Sequence, residues 1–306
     1  MSDKGQGRLA ALLDDGAFVV TGELVPPRSP DAQAVRRAAQ RLRGLVDAVN
    51  VTDNATARVG MSPLAAGVLA AGEGLEPVLQ LTCRDRNRLA LAADLLGAHA
   101  LGIRSILCLS GDPLEVGPFA KEGAKAVFDL DAIGLVKLAD GLGRGIGPDG
   151  TGLSPPASFL VGVAEAPGAD PSEGARLAAK VAAGARFTQT QPVYDPAAFA
   201  AWLERLGARG LPERVAILAG VLPPRSAAQL ERFAALPGWS VPAATIERLR
   251  TARDPAAEGV AIAAEMVAAL RDLPGIRGVH LMGIGPDSGI PEVIEQAGLL
   301  PRPLPA

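Results

Sequence analysis

Histidine is nearly absent from this chain. His99 and His280 are the only two in 306 residues, too few for a histidine-built metal centre, whether hydrolytic or lyase-like. Cysteine is equally scarce: Cys83 and Cys108 form neither a C-x-x-C pair nor a disulfide framework, which suits a reducing cytoplasm. Aromatics make up 3% of the residues, so a flat ligand would have to rest on aliphatic side chains and backbone. Neither charge sign dominates. A formal net charge of -3 leaves no basic footprint for nucleic acid and no polybasic patch for a membrane surface. No apolar run is long enough to span a bilayer, and the opening MSDKGQGRLAALLDDG has no small-residue cleavage site of a secretory leader. The lysines (Lys4, Lys121, Lys125, Lys137 and Lys180) all fall outside the strand-like runs, which discounts a Schiff-base aldolase.

What the chain does have is a core. It is 48% hydrophobic, and β-branched runs alternate with longer alanine- and leucine-rich amphipathic segments. Eight runs read as strands: FVVTGEL, LVDAVNVTD, EPVLQLTC, RSILCLSGD, FLVGVAEA, RFTQTQPV, VAILAGVL and GVHLMGI. Ser29-Pro30, Asp170-Pro171, Asp195-Pro196 and Asp254-Pro255 supply helix starts, a capping side chain followed by proline at the first helical position. Asp170 with Glu173 fits the extended capping box. Gly44, Gly102 and Gly207 are placed to end helices. Strand ends at Glu23, Asp53, Cys83 and Asp112 recur at the length of one βα unit. No G-x-G-x-x-G follows a strand, so a closed (β/α)8 TIM barrel with extra helices is expected rather than an open dinucleotide-binding sheet. The expected division is an N-terminal segment 1–16, a single catalytic barrel domain 17–298 and a frayed tail 299–306. GRGIGPDGTGLSPPAS (143–158) reads as a mobile insertion, and an extra helix is expected around 242–252.

A barrel of this kind carries its chemistry where its strands end. Those ends hold Glu23, Thr52-Asp53-Asn54, Gln80 to Asp85, Ser110-Gly111-Asp112, Glu165, Gln191 and a Pro223-Pro224-Arg225 turn. Glu23 stands out, because it interrupts an apolar run with a carboxylate and nothing capping-like follows it. For Asp53 and Asp85 a capping or turn role outweighs catalysis, and for Asp112 in SGDP the two readings balance. Gln191 shares a strand face with Gln189. His99 reads as a packing or surface histidine, and the cysteines as small core residues.

The segments GELVPPR, VNVTDN, LQLTCRDRNR, ALGIRSILCLSGDP, VGVAEAP, KVAAGARFTQTQPVYD, LAGVLPPRS and GVHLMGIG occur in the order seen in methylenetetrahydrofolate reductases, which the chain resembles over roughly residues 17 to 298. It is most similar to the short bacterial form, with TCRDRNR and KAVFDLDAIGL closest to the acetogen-like branch. The resemblance implies a flavoprotein oxidoreductase of one-carbon metabolism and methionine biosynthesis. Such an enzyme reduces 5,10-methylenetetrahydrofolate to 5-methyltetrahydrofolate by ping-pong hydride transfer from NADH or NADPH, with FAD, or alternatively FMN, as cofactor. It further implies Glu23 as general acid, Asp112 as the aspartate beside flavin and pterin, and Gln191 as the glutamine orienting folate. Thr52, Gln80, Leu109, Ser110, Gly111 and Asp112 fall on flavin-contacting positions, as do Ala164 and Lys180. Several positions depart from the enterobacterial pattern. Ala164 stands for a tyrosine, Gln80 for a histidine, Arg176 and Ala179 for an asparagine and an arginine, and Met282 and Pro286 for a tyrosine and an arginine. Two alternatives remain beside this reading: a pterin-binding methyltransferase module, and a flavin-poor reductase subunit fed by an electron-donor protein. A homo-oligomer is compatible with each.

Overall fold

In the computed structural model, which describes residues 7–168, 173–235, 239–283 and 288–305, all eight apolar runs are strands. They are β1 (Val19–Leu24), β2 (Ala48–Val51), β3 (Pro77–Thr82), β4 (Ser105–Leu109), β5 (Leu160–Glu165), β6 (Phe187–Pro192), β7 (Ala216–Val221) and β8 (Ile276–Leu281). Each pairs in parallel with the next, and β8 returns to β1 with Val20 opposite Val279, closing the barrel. The chain is therefore a single-domain (β/α)8 barrel.

The surrounding helices are α2 (Ala32–Leu42), α3 (Pro63–Gly72), α4 (Arg88–Ala100), α5 (Ala132–Gly143), α6 (Glu173–Ala182), α7 (Pro196–Gly207), α8 (Ala227–Ala234), α10 (Pro255–Arg271) and α11 (Ile290–Gln296). The extra helix is α9 (Ala243–Thr251). Asp195 and Asp254 cap α7 and α10 as expected, each accepting from two backbone amides with proline next in line. Ser29-Pro30 is not the start of α2. Asp31 is the cap, accepting from Ala34 N at 3.0 Å, because the chain needs two more residues to turn after the double proline. Gly207 lies inside the last turn of α7, and the left-handed glycine follows at Gly210. Asp170 and Pro171 lie outside the described residues, as does Pro286.

Strand alternation splits the core in two. Outward side chains such as Val20, Val49, Leu79 and Ile106 pack against the helices. Inward side chains at the strand starts (Val19, Ala48, Val78, Leu160, Phe187) meet Leu9, Ala10, Leu12 and Leu13 of α1 (Arg8–Asp14), which closes the N-terminal mouth. Phe187 fills the barrel axis only because residue 162 is glycine: a Cβ there would sit 2.1 Å from the ring.

Residues 299–306 are not frayed over their described part. Arg302 donates to Phe18 O at 2.8 Å and pairs with the buried Asp47, which also holds Arg8, and Leu299 is buried. Within 143–158, Ile146 and Gly152 form an antiparallel bridge, making a small hairpin. Among the described residues no helix is long and apolar enough to cross a membrane.

Candidate active site

The C-terminal mouth is open and polar. A cavity of about 340 Å³ occupies it, and Glu23, Gln80, Asp112 and Gln191 all border it, from β1, β3, the turn after β4 and β6. Leu109, Ser110, Gly111 and Ala164 border it too, with Leu107 and Met282 as further apolar wall. Thr52 and Lys180 are not among its lining side chains. Gln191 also borders a second cavity of about 250 Å³ beside Tyr194 and Trp239.

Glu23 lies in the wall between the central cavity and another on the α2 side, so part of the residue is reachable while protein surrounds its carboxyl. Burial pushes that carboxyl up to about 7, partly offset by the Gly283 amide, which donates to Oε2 at 3.2 Å. Such a group holds a proton near neutral pH and can give it away.

The floor of the cavity is a buried polar network. Asn50 Nδ2 donates to Gln189 Oε1 at 2.6 Å, and Gln189 Nε2 donates to Asn50 Oδ1 at 3.0 Å and to Thr21 Oγ1 at 3.1 Å. Thr21 Oγ1 lies 2.9 Å from His280 Nδ1. Burial, partly offset by hydrogen bonding at Thr21, pushes the imidazole down to about 3, so it is neutral at physiological pH. Gln189 and Gln191 do share a face, but Gln189 is locked into the floor while Gln191 is exposed at the rim.

Asp112 is exposed at the rim and accepts from Thr56 N at 2.8 Å. That loop is unusual: Asn54, Thr56 and Ala57 all have positive φ without being glycine, a conformation that persists only when its surroundings impose it. Arg84 supplies the rest of the constraint. Only 1% exposed, it donates to Asn54 O and Asp112 O, both at 3.1 Å, and clasps Asp85 with two bonds of 2.7 Å. Arg84 thus ties three strand-end loops together. Its sequence signal was the charge-dense TCRDRNR stretch alone, which names no partner.

Asp53 and Asp85 are anchors in the geometry. Asp53 accepts from Thr82 N at 2.7 Å and Thr82 Oγ1 at 3.0 Å and pairs with Arg86. Its pKa is raised by burial against the pull of Arg86. Glu165 is paired with Lys180 at 2.6 Å, and Lys180 Nζ also donates to Ala164 O at 2.7 Å. His99 is a packing residue, edge-on to Phe159, and both cysteines are buried.

The family model of Methylenetetrahydrofolate reductase matches residues 8–298. The chain belongs to the methylenetetrahydrofolate reductase family. Its relatives include "Methylenetetrahydrofolate reductase 1" of Schizosaccharomyces pombe, 25% identical over 78% of this chain and 38% of that one. "Probable methylenetetrahydrofolate reductase (NADPH)" of Caenorhabditis elegans is 26% identical over 95% of this chain and 44% of that one. The chain spans less than half the length of these curated relatives. Among solved structures, an uncharacterized protein from Clostridium thermocellum, described as binding two copies of 5-methyl-5,6,7,8-tetrahydrofolic acid, superposes with a TM-score of 0.69 at 15% identity. That match covers 96% of this chain and 98% of the other. It shows a shared fold.

The family implies a flavin, and the cavity has the chemistry for its ring system. Aliphatic Leu107, Leu109, Ala164 and Met282 offer flat apolar wall, and Gln80 offers an amide. Asp53 Oδ1 is a buried acceptor with no hydrogen-bond partner among the described residues. Gly111, at φ +96°, has no room for a side chain: a Cβ would come 3.0 Å from Thr82.

Proposed function

We propose that the chain reduces 5,10-methylenetetrahydrofolate to 5-methyltetrahydrofolate, using NADH or NADPH and a flavin, FAD or FMN. The observation that carries this reading is Glu23, a carboxyl near pKa 7 in the wall of the cavity that Asp112 and Gln191 also border. The methylene bridge must open to an iminium before it accepts hydride, and opening requires a proton on the departing arylamine nitrogen. Glu23 holds that proton and delivers it. The Asp112 carboxylate sets negative charge near the cation that forms. Gln191 keeps the pterin in register, and Leu107, Leu109, Gln80 and Ala164 hold the cofactor ring. A bound flavin supplies the relay that stores a hydride between nicotinamide and folate, so the two substrates use the cavity in turn.

The test is to mix pre-reduced enzyme with methylenetetrahydrofolate in a stopped-flow instrument and identify the product. Reoxidation coupled to 5-methyltetrahydrofolate formation is expected. Protein that binds 5-methyltetrahydrofolate but has no flavin spectrum and transfers a methyl group to a corrinoid would make it a methyltransferase instead.

One observation favours a second reading, of a chain that holds flavin weakly and draws electrons from a partner protein. Lys180, expected among the flavin contacts, is buried and committed to Glu165. Dialysis followed by titration with FAD and FMN separates the two. Retention through dialysis supports the first reading, and release with recovery of activity on adding a reduced protein donor supports the second.

A further inference from the structure

The floor network fixes more than the shape of the cavity. Asn50 and Gln189 pair amide to amide, which uses one N–H of Gln189 Nε2, and the other goes to Thr21 Oγ1. A threonine hydroxyl has one hydrogen to give. Gln189 donates to that oxygen, and among the described residues its other hydrogen-bond neighbour is His280 Nδ1, 2.9 Å away, so the arrangement that leaves no buried hydroxyl hydrogen idle points it at Nδ1. A neutral imidazole that accepts at Nδ1 carries its proton on Nε2. His280 borders the cavity, so Nε2 is the nitrogen left to meet whatever lies above it. All four residues are at most 2% exposed. Buried polar groups placed so deep are costly unless each is satisfied, and apolar side chains suffice one layer below, where Val19, Ala48 and Phe187 fill the same barrel.

We propose that His280 is a substrate-orienting donor. Its Nε2–H, held in that tautomer by the chain Asn50–Gln189–Thr21, hydrogen-bonds a carbonyl oxygen or imine nitrogen on the edge of the heterocycle bound in the cavity. This rests on the reading that the cavity takes a pterin or flavin ring. It adds a selection rule. A ring presenting an N–H at that edge meets donor against donor and is rejected, because a site built for one hydrogen-bonding pattern leaves its own groups unpaired with the other.

The chain's two histidines make the test clean. Protein labelled with ¹⁵N-histidine gives two imidazole patterns at neutral pH, and His99→Gln assigns them. The free protein is expected to show His280 protonated at Nε2, and Thr21→Val is expected to mix its tautomers. Saturation with 5-methyltetrahydrofolate or with FAD should shift the Nε2 resonance, and the probe that does so identifies the ring in contact. His280→Leu should weaken that probe roughly 10- to 100-fold, since a buried acceptor loses its donor. His280→Gln, whose amide nitrogen reaches about as far as Nε2, should recover most of the affinity. An Nδ1–H tautomer in the free protein overturns the proposal. So does tight binding of a probe with no change at His280, and that outcome leaves the proposed function standing. Failure of both probes to bind overturns the proposal and the reading beneath it together. Should His280→Leu not fold, the glutamine variant and the resonances decide.

Discussion

The two mouths of this barrel are built from the same strands and do opposite things. At the N-terminal mouth the inward side chains are aliphatic or aromatic, and α1 lays Leu9, Leu12 and Leu13 onto them. The charged groups there are paired: Asp47 with Arg8 and Arg302, Glu76 with Ser105 and the Leu9 amide. At the C-terminal mouth the same alternation delivers Thr21, Asn50, Gln189 and His280, then Glu23 above them with a displaced pKa and one modest hydrogen bond. One end stores stability and the other holds groups that cost it. Stability and chemistry should therefore separate when the two ends are mutated.

The largest effect is expected at Glu23. Glu23→Gln keeps size and hydrogen bonding but has no proton to give, and loss of a positioned general acid costs about 100- to 10,000-fold. Stopped-flow reoxidation by methylenetetrahydrofolate should fall by that factor, while flavin reduction by NAD(P)H stays near wild type. Equal damage to both halves together with a lowered melting temperature would mean that Glu23 belongs with the structural end.

Next in size is the opposite mouth. Leu12 is fully buried in the plug, and Leu12→Ala should cost about 2–5 kcal/mol by leaving a cavity. Denaturant unfolding measures it, and the rate per folded molecule should not change. A variant that unfolds like wild type but has lost activity would show the plug acting on the site at a distance.

A third effect ties the two ends through pH. Glu23 has a folded pKa raised above its unfolded value, so between pH ~4.5 and ~7 the native state binds more protons than the unfolded one. Stability should therefore fall as pH rises through that window, by up to about 1.4 kcal/mol per pH unit for one proton. Glu23→Gln should flatten that part of the curve and be the more stable protein at pH 8. An unchanged pH profile in the variant would place the titration elsewhere.

The sequence made these ends unequally legible. Every strand could be read, because a short β-branched apolar run needs no distant partner to be recognised. Glu23 was legible for a related reason, a charge in an apolar run with no local use. The floor was not. Asn50 and Gln189 are 139 residues apart, and Thr21 and His280 are 259 apart, so their association exists only once the barrel closes. The tail was misread for the same cause. LLPRPLPA has no pattern of its own, and Arg302 matters through Asp47, 255 residues away. Arg84 stood in TCRDRNR without a partner, and its role appears only where Asn54, Asp85 and Asp112 converge on it. Local order was written in local sequence, and the polar networks were written in the topology.

The smallest effect is expected at Asp112, and it tests the division most finely. Asp112 sits at the chemical end, yet its Oδ2 holds Thr56 N in a loop where Asn54, Thr56 and Ala57 are all left-handed. Charge and hydrogen bond can be removed separately. Asp112→Asn keeps an acceptor oxygen for Thr56 and loses only the charge, so the loop should stay in place and stability should change by less than about 0.5 kcal/mol. Folate reduction should slow by about tenfold, the size of one partly solvated charge beside a forming cation. Asp112→Ala loses both roles, and releasing the strained loop should add a stability loss of about 1–3 kcal/mol to the slower rate. Thermal melts and single-turnover rates on the two variants give the comparison directly. If Asp112→Asn reduces folate at the wild-type rate while Asp112→Ala does not, the loop contact is the whole function of Asp112. The charge that steadies the iminium must then come from another carboxylate bordering the cavity, and Asp53, whose Oδ1 has no partner among the described residues, is the next to mutate.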